Sequence, residues 1–234
     1  MVLGEIKIEL IQKKIKNLHL SVLPPHGNVR ISAPLHLSRE TIRLYAISKL
    51  SWIKEQQNKI RNQERESPRE YVNKENHYFQ GRKYLLRIFE ENLPPRVLQN
   101  NKYLDLYIRP NTSAITRQHI VNQWYRNELK ALIPAYIKKW QEIIPVIVQG
   151  FGIKQMKTNW GTCNIEAKRI WLNLELAKKP LQCLEYIVVH EMVHLLERRH
   201  NDRFMAYLNK YMPRWKAYRE ELNRLPISHL DWGY

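Results

Sequence analysis

The stretch 180–204, P-L-Q-C-L-E-Y-I-V-V-H-E-M-V-H-L-L-E-R-R-H-N-D-R-F, constrains this chain more than any other. It contains His190-Glu191-Met192-Val193-His194, an H-E-x-x-H. Residues i and i+4 of a helix lie one above the other on the same face, about 5–6 Å apart. At that separation two imidazoles can share one tetrahedral Zn²⁺, each about 2.0–2.1 Å from it. Glu191, one residue past the first imidazole, is placed to accept a proton from a water activated there and not to bind the metal. Pro180 suits a first helical position, where its missing N–H is not needed. Leu181, Leu184, Ile187, Val188 and Val189 then form a nearly all-apolar run. The helix is therefore expected to be buried, and ionisable groups on it to be paired or metal-bound.

His200 adds a third imidazole and a geometric demand. A helix continued past His194 would carry His200 roughly 240° around the axis and about 9 Å along it, out of reach of a shared ion. The helix must end between Leu195 and Arg199 and the chain must turn back. In H-E-x-x-H-x-x-G-x-x-H sequences a glycine makes that turn, and here Glu197 stands in its place. Either the turn forms without glycine or another residue completes the ligand set, Glu197 being the local competitor. Cys163 as a fourth ligand is disfavoured, because a catalytic zinc keeps an open position.

Further residues carry a resemblance. Trp160-Gly161-Thr162-Cys163, Ile170-Trp171-Leu172-Asn173, Pro180, the run from Tyr186 through His194, and His200-Asn201-Asp202-Arg203-Phe204 together resemble the YgjP-like metallopeptidase family, relatives of the SprT and WLM-type zincins. The family pattern reads W-G-S-C, a short strand ending in L-N, H-E-L-x-H and a later N-H-S-x-x-F. This chain has Thr162 for Ser, Met192 for Leu, Arg199 for Asn, and Asp202 where small residues are frequent. The resemblance extends over most of the chain and is specific over 155–205. It implies a zinc peptidase with His190, His194 and His200 on the metal, Glu191 as general base, and a peptide or protein substrate.

The remaining sequence frames that core. At 234 residues with 44% apolar content, the chain is long enough for one large domain, or for a domain with a smaller partner. Alternation at Leu18, Leu20 and Val22, at Val29, Ile31 and Ala33, at Tyr84, Leu86 and Ile88, and at Leu104, Leu106 and Ile108 predicts strands. Pro24, Pro25, His26, Gly27 and Asn28 form a turn signal. Ser38 can cap one helix of about 25 residues carrying Ile42, Ala46, Leu50 and Ile53. Thr112 or Ser113 starts another, reaching about residue 142, with Ile120, Trp124, Leu129, Leu132, Ile133 and Tyr136 on its buried side. Pro134 should kink or split that helix. Strands follow over 146–148, 155–163 and 169–173, then helices from residue 201 or 202 and over 215–224. No internal repeat is evident.

The net charge is +17. Residues 1–70 carry 13 basic and 7 acidic side chains, 71–150 carry 12 and 6, and 151–234 carry 14 and 9, so there is no basic tail. An even excess fits nucleic-acid association and also fits a merely solvated surface. Two cysteines, no leader pattern and no apolar run of membrane-spanning length predict a cytoplasmic protein without a membrane partner.

The expectation is an α+β fold: a zincin-like metallopeptidase core, with a mixed sheet beside the active-site helix, over 111–234. A β-rich part with one long helix occupies 1–110. A DNA-associated protease or DNA-binding protein of SprT type, and a zinc-binding pseudoenzyme or interaction protein, are the other readings. Tyr207, Tyr211 and Tyr218 are candidates to stabilise the oxyanion. The last expectation concerns substrate: Ile170, Trp171, Leu172 and Asn173 lie in the only strand-like segment between Cys163 and Pro180. That segment is expected to be an edge strand to which an extended peptide adds by main-chain hydrogen bonds, with Lys168 and Arg169 blunting the edge.

Overall fold

Both alternating runs near the N-terminus are strands in the computed structural model of the chain, which describes residues 1–23, 26–62, 69–156 and 159–224. Strands β1 (Val2–Leu3), β2 (Ile6–Lys13), β3 (His19–Leu23) and β4 (Asn28–Pro34) form a sheet in the order β1-β2-β4-β3. β2 and β4 are parallel and the outer pairs antiparallel. The expected turn between β3 and β4 includes Pro24 and Pro25, which lie outside the described residues. Ser38 does cap the next helix, its hydroxyl accepting from the Thr41 amide. The expected single helix is two, however: α1 (Arg39–Ser48) and α2 (Leu50–Asn62), separated at Lys49 (φ −106°, ψ 6°). Ile8, Val29, Ile31, Ala33, Ile42, Ala46 and Ile53 form a small core between this sheet and its helices.

A second sheet follows, with strands β5 (Asn76–Phe79), β6 (Arg82–Glu90), β7 (Arg96–Asn100) and β8 (Tyr103–Ile108) in the order β5-β6-β8-β7. The sequence pattern shows β6 and β8 but not β7, whose only buried residue is Val97. Helix α3 (Ala114–Gln141) continues through Pro134, so of the kink or split expected there the split does not occur. Its innermost stripe is Val121, Tyr125, Leu129, Ile133, Ile137 and Trp140. Ile120, Trp124, Leu132 and Tyr136, expected at its centre, are partly buried flanks.

The third sheet has the order β10-β11-β9, from β9 (Gly150–Lys154), β10 (Gly161–Asn164) and β11 (Arg169–Asn173). The strand expected over 146–148 thus lies at 150–154. A 3-10 turn (Leu174–Lys178) leads into α4 (Leu181–Val193), followed by α5 (Asp202–Tyr211) and α6 (Trp215–Arg224). Mixed sheets and helices make the fold α+β. No helix among the described residues is long and apolar enough to cross a membrane.

The chain divides into two compact units, Met1–Glu66 and Ser67–Leu225. The division lies well before the 110/111 boundary expected from the sequence, because β5–β8 share one apolar core with α3 and α4. The hairpin turn Gln80-Gly81 shows how closely they join. Its amides donate to the carbonyls of Ala177 and Lys178, just before α4. Gly81 has φ +77°, and a Cβ there would lie 2.7 Å from the Pro180 ring. Glycine serves both needs at once, and the second sheet thereby supports the start of the motif helix.

Candidate active site

The motif helix is as buried as its composition requires: Cys183, Leu184, Tyr186, Ile187, Val188, Val189, Met192 and Val193 are all inaccessible to solvent or nearly so. Pro180 occupies the position before the first helical residue, one earlier than expected. The helix ends at Val193. The amides of Leu195, Leu196 and Glu197 turn back to the carbonyls of Met192 and Val193. No residue between His194 and His200 has positive φ, so this tightening makes the turn that elsewhere calls for glycine.

The turn brings His200 to the helix. One ring nitrogen from each of His190, His194 and His200 lies within 4.8 Å of the other two, and the Nε2 atoms of His190 and His200 are 2.9 Å apart. Two nitrogens on one tetrahedral zinc stand about 3.3 Å apart, so the donor set fits a metal with little adjustment. Glu197 does not join the cluster. Its side chain accepts from the Arg199 amide at 3.0 Å, and its carbonyl oxygen accepts from Nδ1 of His194 at 3.2 Å. That bond leaves Nε2 of His194 free to coordinate a metal, an orientation common to metal-bound imidazoles.

Phe204 forms the floor under the three rings. It is fully buried, with its ring centroid 4.9, 4.7 and 4.7 Å from those of His190, His194 and His200. Asn201 caps α5 by accepting from the Phe204 amide, which places His200 and Phe204 on one short rigid segment. The sequence pattern marks Phe204 only as a residue on a helix face. Its role in aligning all three imidazoles needs the fold to be seen.

Burial holds the cluster in its neutral, electron-donating form. Burial first, and then the positive charges of His194, His200 and Arg219, push His190 down to about 3. His194 and His200 are also lowered, again chiefly by burial. Metal binding requires such deprotonated imidazoles. Glu191 sits beside them, 3% exposed, and burial raises its carboxyl to about 8. Its Oε2 has no hydrogen-bond partner among the described residues. Its side chain fills the space that Gly161 leaves open: a Cβ on Gly161 would lie 2.6 Å from Oε1. The Trp160-Gly161 pair thus reads as a socket for the glutamate.

These groups line a cleft of about 650 Å³ together with Thr162, Cys163, Tyr186, Arg198 and Arg219. Burial, then the Glu191 carboxylate, pushes the Cys163 thiol up to about 11, and Cys163 does not belong to the three-imidazole cluster. Tyr207, Tyr211 and Tyr218 do not line the cleft. Tyr207 and Tyr211 stack on each other 6.1 Å apart on α5. Sequence reasoning missed Arg219, because a single arginine on an amphipathic helix is indistinguishable from its solvated neighbours.

The edge-strand expectation for Ile170, Trp171, Leu172 and Asn173 is corrected. β11 pairs antiparallel with β10 on one side and parallel with β9 on the other, so it is the central strand. Ile170 and Leu172 are fully buried core residues. Asn173 is a structural latch: Nδ2 donates to the carbonyls of Met156 and Asn159, and Oδ1 accepts from the Glu175 amide. The edge beside the cleft is β10, the strand carrying Gly161, Thr162 and Cys163.

The family model "YgjP-like, metallopeptidase domain" matches residues 16–225. Among solved structures, the crystal structure of the metallopeptidase zymogen of Pyrococcus abyssi abylysin is 18% identical with a TM-score of 0.37, and the match covers 41% of this chain and 100% of that one. No curated protein matches the chain. With a family model spanning nearly its whole length, and a cluster of three imidazoles that can hold a metal, the chain belongs to the YgjP-like metallopeptidase family.

Proposed function

We propose that this metallopeptidase is a zincin-type, zinc-dependent enzyme. The observation that carries the reading is the convergence of His190 and His194, at the end of α4, with His200, in the segment just before α5, and with Glu191 beside them in one cleft. His190, His194 and His200 would hold the zinc, which when bound would supply a Lewis acid able to polarise a carbonyl and acidify water. Glu191 accepts the proton of the attacking water on its carboxylate and returns it to the leaving amine. Its buried setting poises the carboxyl near neutral pH, where a general base is most effective, and a neighbouring cation shifts it back toward the ionised form. Of the two arginines that line the cleft, Arg198 and Arg219, it is Arg219 whose charge acts on both His190 and His200, and it is the cation assigned to the oxygen of the scissile carbonyl. The exposed edge of β10 takes the role first expected of 169–173: an extended peptide adds to it as a strand, beside the imidazoles.

The test is metal analysis with Glu191→Gln. Wild-type protein should hold about one zinc per chain. The variant should keep the metal and lose peptide hydrolysis, because an amide cannot accept the proton. Loss of zinc in the variant would make Glu191 structural, and zinc without turnover on any peptide would leave a metal-binding protein that is not a peptidase. Arg219→Ala should lower kcat by on the order of 10²-fold with KM little changed.

A further inference from the structure

The first unit holds no member of the imidazole cluster, yet it contains a groove larger than the active-site cleft, about 910 Å³. The β1–β2 hairpin forms one wall, the 26–28 turn another, and one face of α1 and α2 the third. Gln57 locks the helix to the turn by donating from Nε2 to the Gly27 carbonyl at 2.8 Å. Four cations line the groove, Lys7, Arg43, Lys54 and Arg61, all solvent-exposed. Lys54 and Arg61 stand seven residues apart on α2, two turns or about 10 Å along one face. None of the four has a carboxylate partner among the described residues. Several cations elsewhere do, among them Arg30 with Glu9, Arg87 with Asp105, and Lys139 with Glu185. Among the described residues the only acidic one lining the groove is Glu5.

We propose that this groove binds the phosphate backbone of double-stranded nucleic acid without reading its bases. Four unneutralised cations on a concave, rigid surface raise the local potential and attract a polyanion. Among the described residues no Trp, Tyr or Phe lines the groove, so they offer no platform for the stacked bases of a single strand. An acidic peptide would need its carboxylates at matching positions. A duplex presents a phosphate about every 1.7 Å of its axis, so flexible lysine and arginine side chains meet one in any register. The site does not depend on the peptidase reading and is tested without turnover.

The experiment is fluorescence anisotropy of the full chain with a short fluorescein-labelled DNA duplex over a range of salt concentrations. The log–log slope should be roughly −3 to −4, about −0.9 for each of four phosphates. Lys54→Ala and Arg61→Ala should each reduce its magnitude by about 0.9, and the quadruple alanine variant should lose binding with an unchanged unfolding midpoint. Alanine at four exposed lysines outside the groove, Lys102, Lys130, Lys138 and Lys216, should leave the slope unaltered. Equal weakening by the two quadruple variants would overturn the assignment to the groove. Absence of binding, or displacement of the duplex by polyglutamate at equal charge concentration, would overturn the proposal itself.

Discussion

The sheets β1-β2-β4-β3 and β5-β6-β8-β7 have the same topology in different surroundings. Each is two antiparallel pairs joined by a central parallel pair. Each opens on a two-residue hairpin with a glycine at positive φ, Gly4 or Gly81. In each an ion pair crosses the parallel strands at the same register, Glu9 with Arg30 and Arg87 with Asp105, with the charge signs exchanged. Each leads to a helix capped by a serine whose hydroxyl accepts from the amide of a threonine three residues on. Aligned on those caps, the buried residues Val29, Ile31 and Ala33 fall on Leu104, Leu106 and Ile108. The chain thus holds a structural repeat that its sequence does not announce. What differs is the use made of it. After the first sheet the helix breaks at Lys49 and the core stays small, whereas after the second a 28-residue helix joins the core that buries the motif helix. One scaffold has been tied to the catalytic apparatus and the other has not.

Matched substitutions should separate the two roles, and the largest effects lie in the cores. Ile31→Ala and Leu106→Ala each remove a side chain that is 0% exposed, and each should lower stability by about 2–5 kcal/mol. Calorimetry should show only Leu106→Ala weakening the transition that ends metal binding and peptidase activity. If Ile31→Ala abolishes both as readily, the two units are not independent.

The hairpin glycines come next. Both have positive φ, so alanine at either should cost about 1 kcal/mol in backbone strain. A Cβ on Gly4 meets nothing within 4 Å, but on Gly81 it meets the Pro180 ring. Gly81→Ala should therefore cost roughly another 1–3 kcal/mol and displace the start of α4. Activity assays should find Gly4→Ala unimpaired and Gly81→Ala impaired. Equal activities would show that the hairpin does not support the motif helix.

The ion pairs differ in burial more than in geometry. Asp105 is buried and takes two hydrogen bonds from Arg87, whereas the Glu9 side chain is 54% exposed. Urea titration should show Asp105→Asn costing about 1–3 kcal/mol and Glu9→Gln less than about 1 kcal/mol. A larger loss for Glu9→Gln would reverse the comparison.

Acid should distinguish the units in the same direction. His77 on β5 is buried, and burial lowers its pKa despite the bond from its ring to Glu75. The unfolded chain then binds a proton that the folded one refuses, so stability falls as the pH drops below about 6.5, by at most about 1.4 kcal/mol per pH unit. Glu75, lowered by its bonds to His77 and to the amides of Glu70 and Tyr71, adds a loss as pH falls below the usual carboxylate range. His77→Gln should flatten the first part of that dependence in a pH series of melting curves, and an unchanged slope would remove His77 as its source. The smallest effects belong to the caps. Ser38→Ala and Ser113→Ala should each cost about 1 kcal/mol, and similar values from both would support the equivalence of the two positions.

Much of the site was legible without coordinates, because its signals are local. The H-E-x-x-H spacing works through the 3.6-residue period alone; the same period showed that the helix had to end before His200 could approach, but left Glu197 open as the third ligand, and only the family resemblance named His200. Gly161 was legible only as part of the Trp160-Gly161-Thr162-Cys163 motif, not as the socket of Glu191. The errors share another cause. Arg169–Asn173 was read as an edge because it is the only strand-like segment between Cys163 and Pro180, but it pairs with β10 just before it and also with β9, a parallel partner that ends fifteen residues earlier. The break at Lys49 and the continuity through Pro134 likewise depend on what packs against each helix, not on local propensity.

The sequence by itself determined the elements whose instructions lie within a few residues: the buried motif helix, the serine caps, the alternating strands and the three imidazoles with their neighbouring glutamate. Backbone periodicity and side-chain chemistry act over one or two turns, and a reader needs no more than that. Only the tertiary structure decided which strand has a free edge, that Phe204 underlies all three rings, that Arg219 reaches the cleft, and that two sheets of unlike sequence share one topology. Those properties belong to pairs of segments far apart in the chain. Burial constrains such segments only to be apolar and of the right volume, and many sequences satisfy that condition equally well.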